Sequence, residues 1–115
     1  METIRTLILF RHYYKEFISA QNERVKREIN DVLFLVMTAK WIPKKFFEHI
    51  QGTDGLYCIR VEYKSNIYKV FCCFDEGRII VLFNGFQKKS PKTPSNETDK
   101  ALKIKREYFE AKKPN

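Results

Sequence analysis

From Ile4 to Phe10 the apolar positions follow a period of two. Ile4, Thr6, Ile8 and Phe10 alternate with Arg5, Leu7 and Leu9, the repeat of a strand. From about Tyr13 the period lengthens: Tyr13, Phe17 and Ala20 keep one helical face. Asn22 then suits an N-cap, with Glu23 in the first turn where the helix dipole favours an acid. Val25, Ile29, Val32, Leu33 and Val36 recur at helical spacing, and Glu23–Arg27 and Arg24–Glu28 are charge pairs four apart. This helix ends before Trp41-Ile42-Pro43, so the pattern predicts two consecutive helices in an antiparallel hairpin. Gly52 to Gly55 reads as a turn. Three strands follow, Leu56–Tyr63, Ile67–Phe74 and Arg78–Phe86, broken by Lys64-Ser65-Asn66 and Asp75-Glu76-Gly77. Connections this short join only antiparallel neighbours. A last helix is expected with Thr93 as N-cap and Pro94 at its first position. Thr98, Ala101, Ile104 and Tyr108 lie on one face of it, and the chain frays from Glu110. No repeat or linker divides the chain, so residues 1–115 read as one α+β domain: N-terminal strand, helical hairpin, antiparallel meander, C-terminal helix.

Two-residue turns at Ser65-Asn66 and Glu76-Gly77 fix an expected register. Arg60 then faces Phe71, Glu62 faces Lys69, and Lys69 faces Asn84. One sheet face carries Tyr57, Ile59, Val61, Tyr63, Tyr68, Val70, Cys72, Phe74, Ile79, Val81 and Phe83. It is nearly all apolar and calls for the helical hairpin as cover. The other face is mixed: Leu56, Cys58, Arg60, Glu62, Lys69, Phe71, Cys73, Ile80, Leu82, Asn84 and Phe86. Its apolar part can hold the last helix. Its polar part, Arg60, Glu62, Lys69 and Asn84 beside Phe71 and Phe86, admits two readings. Cations interleaved with aromatic rings suit single-stranded nucleic acid; a Glu62–Lys69 cross-strand pair on a solvated face is the plainer one. A three-residue turn in either hairpin would flip a strand.

Charge bears on partners rather than on fold. Lys and Arg total 22 against 14 acids, a net charge of +8, which suits phosphate backbones, anionic membranes or an acidic protein. Cys58, Cys72 and Cys73 are odd in number, and two are adjacent inside a strand. Strand neighbours point to opposite faces, so this is neither a disulfide framework nor a metal site, and a reducing cytoplasm is the expected compartment. No apolar run approaches the ~20 residues of a membrane span, and the N-terminal apolar stretch is too short and alternating for a signal segment. There is no ligand-spaced cluster and no glycine-rich loop, so neither metal nor organic cofactor is called for. His12 reads as a surface residue at the strand–helix junction and His49 as a loop residue.

Leu56-Tyr57, Arg60, Tyr68-Lys69, Leu82-Phe83-Asn84-Gly85-Phe86, Lys88-Lys89, Lys92-Thr93-Pro94, Glu97 and Ala101 together resemble the motif set of the RelE/ParE toxin superfamily, in its phage-derived HigB-like branch. The likeness covers roughly the second half of the chain and is most specific from Gly85 to Pro94. It implies a RelE-like fold and the toxin of a type II toxin–antitoxin pair. The implied activity is that of a metal-independent endoribonuclease cutting mRNA, usually on the ribosome. The 2′-hydroxyl attacks the adjacent phosphate to leave a 2′,3′-cyclic phosphate and a free 5′-hydroxyl. The implied catalytic residues are Arg60 and Lys69 for phosphate contact and transition-state charge, and Lys88 for proton transfer or backbone grip. Lys89, Lys92 and Asn84 would contact RNA, and Phe86 and Phe71 would stack a base. Tyr68 and Tyr108 are assigned to packing. The implied partner is a cognate helix-turn-helix antitoxin with an acidic segment.

Two positions depart from that pattern. Lys69 stands where the family commonly has Arg, which keeps the charge but loses the bidentate fork. Cys58 stands where a Glu is frequent, which removes a carboxylate. Two other functions remain compatible with the fold: a ParE-type toxin that binds DNA gyrase without cutting nucleic acid, and an inactive module that binds nucleic acid or antitoxin.

Overall fold

The computed structural model describes residues 2–91 and 94–114. Eight elements run in the order β1 (Thr6–Leu9), α1 (Tyr13–Ser19), α2 (Glu23–Thr38), β2 (Phe47–His49), β3 (Tyr57–Tyr63), β4 (Asn66–Asp75), β5 (Ile79–Lys88) and α3 (Ser95–Lys112). The strands form a single sheet ordered β1-β5-β4-β3-β2. β1 lies parallel to β5, and the other pairings are antiparallel. This is the α+β, RelE-like arrangement that the periodicities and the motifs predict.

The sheet buries apolar residues on both faces. On one, Ile59, Val61, Val70, Cys72, Ile80 and Leu82 pack with Tyr14 and Phe17 of α1 and Val25, Ile29, Leu33 and Val36 of α2. On the other, Leu56, Cys58, Phe71, Cys73, Val81 and Phe83 pack with Ala101, Ile104 and Tyr108 of α3. Asn22 caps α2 as expected, its side chain accepting the Val25 amide. Arg5 closes the other end of that helix by donating to the Val36, Ala39 and Lys40 carbonyls. The last carbonyls of a helix lack internal partners and carry partial negative charge, so a guanidinium suits them.

Three expectations about the strands are corrected. The β3–β4 turn is Lys64-Ser65, both at positive φ (49° and 67°), with Tyr63 opposite Asn66. That shifts the pairing by two residues without changing faces: Arg60 faces Lys69, and Glu62 faces Ile67. The β4–β5 turn has three residues, since Asp75 pairs with Ile79. Ile80 and Leu82 therefore face the helical hairpin, while Ile79, Val81 and Phe83 face α3, opposite to expectation. A bulge then restores the alternation: between the pairs Cys72–Leu82 and Val70–Gly85, Phe83 and Asn84 together oppose Phe71, two residues against one. Beyond it Phe86 returns to the α3 side, opposite Lys69.

Two further corrections concern short elements. No periodicity marks a strand between Pro43 and Gly52, yet β2 pairs Phe47, Glu48 and His49 with Ile59, Cys58 and Tyr57, so His49, expected in a loop, is a strand residue. In α3, Pro94 occupies the N-cap and Ser95 is the first helical residue. Thr93, expected as the cap, lies outside the described residues. The helix runs on to Lys112 because its last turn is anchored: Tyr108 and Lys112 both donate to the buried Asp75 carboxylate, at 2.5 and 2.6 Å.

Candidate functional site

The candidate residues gather on the α3 side of the sheet, beyond the first turn of α3. Arg60, Lys69 and Phe86 form one row across β3, β4 and β5, and Glu62, Ile67 and Lys88 form the next row outward. Arg60 and Lys69 are direct cross-strand partners. Like charges in that position weaken a sheet unless neighbouring groups offset them. Arg60 is partly offset by its own strand, with Glu62 at 3.4 Å and both side chains accessible. Lys69 is 7% exposed. It borders a cleft of about 650 Å³ between β2 and the start of α3, together with Lys44, Glu48, His49 and Thr98.

Phe86 lies half-buried with its ring stacked on Phe71, centroids 5.8 Å apart. Phe71 itself is fully buried. It was expected to stack a base, but in this position it can only support Phe86 from beneath. Asn84, expected at the nucleic-acid surface, is also buried at 2% exposure. Its amide donates to the Glu97 carbonyl at 3.3 Å, tying β5 to the first turn of α3. Its Oδ1 has no hydrogen-bond partner among the described residues. Asn84 thus positions α3 over the sheet. Lys88 is half-buried and Lys89 exposed. Both border a shallow groove with Ser65, Asn66 and Ser90 at the end of the β3–β4 hairpin. Lys92 lies outside the described residues.

The missing β2 hid several neighbours of the site. Glu48 pairs with Cys58, so a carboxylate stands on the strand next to the position where the resemblance leads one to expect one. The alternation of Phe47 and His49 with Glu48 was a faint signal, too short to separate from loop. His49 borders the same cleft as Lys69, with its Nε2 at 2.9 Å from the Thr53 carbonyl. His12 is exposed at the start of α1, 3.5 Å from Glu16. Burial pushes the Cys58 thiol up to about 12 and Cys73 to about 11, and holds Cys72 well above its usual value. None of the three is a ready nucleophile, because a thiol attacks as its thiolate.

Arg60 and Lys69 are neighbours across the strands, but Lys69 borders the cleft between β2 and α3, while Arg60 borders a second depression beside α2 with Glu28, Asp31 and Glu62. Among the described residues no group of three His, Cys, Asp or Glu is placed to hold a metal ion, and no helix is long and apolar enough to cross a membrane. The family model described as Phage derived protein Gp49-like (DUF891) matches residues 16–106. No curated protein matches the chain.

Proposed function

Because the chain belongs to the phage-derived Gp49-like family, we propose that it is the toxin of a type II toxin–antitoxin pair, HigB-like, acting as a metal-independent endoribonuclease on mRNA at the ribosome. The observation that carries this reading is the pairing of Arg60 with Lys69, with Phe86 completing the row and Lys88 on the same face. Two cations on neighbouring strands suit an anionic phosphate, which makes charge-assisted hydrogen bonds to both. An aromatic ring at the end of that row offers a base a surface on which to stack.

In the proposed reaction the 2′-hydroxyl loses its proton and its oxygen bonds to the adjacent phosphorus. The bond from phosphorus to the 5′-oxygen breaks, and that oxygen takes up a proton. The products are a 2′,3′-cyclic phosphate and a 5′-hydroxyl, with no oxidant or metal required. Arg60 and Lys69 stabilise the added charge on the phosphoryl oxygens, commonly the largest contribution in such a site. Lys88 grips the backbone or hands over the proton. The cognate antitoxin is a helix-turn-helix protein whose acidic segment covers the basic surface, consistent with the net charge of +8.

The test is inducible expression of the wild type beside Arg60→Ala and Lys88→Ala, following growth and mapping the 5′ ends of cellular mRNA. Growth arrest with new in-frame cuts, absent in the variants, is the expected result. Arrest with intact mRNA would replace the nuclease by a toxin that acts through binding, such as one directed at gyrase. No arrest from soluble protein would leave a module that binds without chemistry.

A further inference from the structure

Outside the sheet, the Trp41 ring stands open to solvent, with the Lys40 ammonium 5.9 Å from its centroid. Trp41 is 80% exposed, the most open large apolar side chain among the exposed ones. It sits in the segment from Lys40 to Phe46, which holds Lys40, Lys44 and Lys45 and no acid. The segment is fixed at both ends. Ile42 packs against the core formed with α1 and α2, and the Phe46 carbonyl accepts the Arg60 amide at 2.9 Å. Pro43 and Lys44 carbonyls accept the amides of Phe46 and Phe47, closing the bend between. Trp41 is therefore an open ring on a held backbone. An exposed indole costs solubility and gives nothing to the core, but it offers a flat face on which a ligand can stack.

We propose that Lys40–Phe46 is a binding ledge for single-stranded RNA, on which Trp41 stacks a base and Lys44 holds a phosphate of the strand that continues to Lys69 and Arg60. The inference rests on the RNA-cleaving reading above and extends it to a second binding site along the same strand. Continuity carries it: Lys44 borders the same cleft as Lys69. Charge sets the direction. The Lys44 side has Glu48 alone against two lysines, whereas the depression on the other side sets Lys45 and Arg60 against Glu28, Asp31 and Glu62, so the strand leaves the ledge on the Lys44 side. Exposed rings set among cations suit unpaired bases, since every base has a face to stack. A protein-binding tryptophan, by contrast, is commonly ringed by contacts that exclude water, and lysines are poor at that.

Trp41 is the single tryptophan of the chain, so intrinsic fluorescence reports on this position alone. The experiment titrates full-length protein with a short, fluorescently end-labelled RNA, fully 2′-O-methylated so that the attacking hydroxyl is blocked. Binding is read by anisotropy of the label, and in parallel with unlabelled RNA by Trp41 emission. The expected result is quenching with the same midpoint as the anisotropy rise. Trp41→Ala should weaken binding about 10- to 100-fold, and Trp41→Phe should recover part of it. Lys44→Ala should lower the slope of log affinity against log salt by about 0.7. RNA binding with unaltered Trp41 emission and full affinity in Trp41→Ala would overturn the ledge while leaving the nuclease reading intact, and would give the ring to a protein partner instead. No RNA binding by the wild type at low salt would overturn the ledge, and the growth and 5′-end assays decide the nuclease reading separately.

Discussion

Tyr108 donates its hydroxyl to the Asp75 carboxylate at 2.5 Å, joining the last turns of α3 to the end of β4. Lys112 adds a second donor to the same oxygen at 2.6 Å. The Lys112 ammonium and then the Tyr108 hydroxyl hold the Asp75 carboxyl below its usual 3.8. Burial and then the Asp75 hydrogen bond raise the Tyr108 phenol above its usual 10.0, and the Asp75 hydrogen bond raises Lys112. The two signs act at opposite ends of the pH scale. A depressed carboxyl stabilises the fold above its unfolded value and is lost as pH falls through its folded value. A raised phenol or ammonium stabilises below its unfolded value and is lost as pH rises through its folded value. The melting temperature should therefore fall below about pH 4 and again above about pH 10. Tyr108→Phe should cost about 1.5–3 kcal/mol at neutral pH, the worth of a hydrogen bond to a charged group, and Asp75→Asn should flatten the acid limb. Thermal melts across pH settle it; an unchanged acid limb in Asp75→Asn would remove this contact from the account.

Gly85 lies against the Phe17 ring, and a methyl group built on it would sit 2.5, 2.6 and 2.9 Å from three ring carbons. Those are inner atoms of a buried side chain, so the ring cannot swing clear. Gly85→Ala should destabilise by about 1–3 kcal/mol through overpacking. Phe17→Leu, which removes the offending ring at its own cost, should make the added penalty of Gly85→Ala much smaller in the double variant. Denaturant unfolding of the four proteins gives the coupling, and full additivity would show that the strand moves aside instead.

Much of the architecture was legible because burial writes a period into the chain. The run Val25, Ile29, Leu33, Val36 names the buried face of α2, and Ala101, Ile104, Tyr108 that of α3. What escaped were features with no periodic signature. Three residues of β2 cannot show a repeat. Positive φ at Lys64 and Ser65, in a type of turn that usually takes Asn-Gly, is invisible in those residue types. The three-residue turn and the bulge each shift the alternation of β5 by one, so Ile79 to Phe83 were assigned to the wrong face, while Phe86 was assigned correctly because the two shifts cancel. Of the candidate residues, Arg60, Lys69 and Phe86 share one cross-strand row, with Lys88 in the next row on the same face. Phe71 and Asn84 were misjudged because strand alternation gives a face, not a depth. α3 buries the row of Phe71 and Asn84 and leaves the row of Lys69 and Phe86 at its margin.

The hairpin joining β3 and β4 carries a testable strain. Ser65 holds φ at 67° without being glycine, a region that costs an L-residue about 1–2 kcal/mol. Ser65→Gly should remove that strain, offset in part by the greater freedom of glycine in the unfolded chain, for a net gain below about 1 kcal/mol. A rise in melting temperature with unchanged circular dichroism is the expected outcome. A fall would mean that the serine side chain contributes more than its backbone costs.

The cross-strand pair Arg60–Lys69 makes a prediction about both stability and activity, and the two should move in opposite directions. Removing one of two facing cations relieves repulsion, so Arg60→Gln should leave stability unchanged or raise it by up to about 1 kcal/mol. It should also remove transition-state charge stabilisation and lower the rate of RNA cleavage about 10²- to 10³-fold. Arg60→Lys should restore only part of the activity, because a point charge replaces a planar fork. Phe71 is the contrasting control. It is fully buried, so Phe71→Ala should cost about 3–5 kcal/mol, a large part of the ~5–15 kcal/mol total of a small domain, and lose activity through unfolding. Parallel melts and cleavage assays therefore separate the roles. A stable, inactive Arg60→Gln supports a site in which the sheet gives up stability to concentrate charge, and a destabilised one would make Arg60 a structural residue held by Glu62.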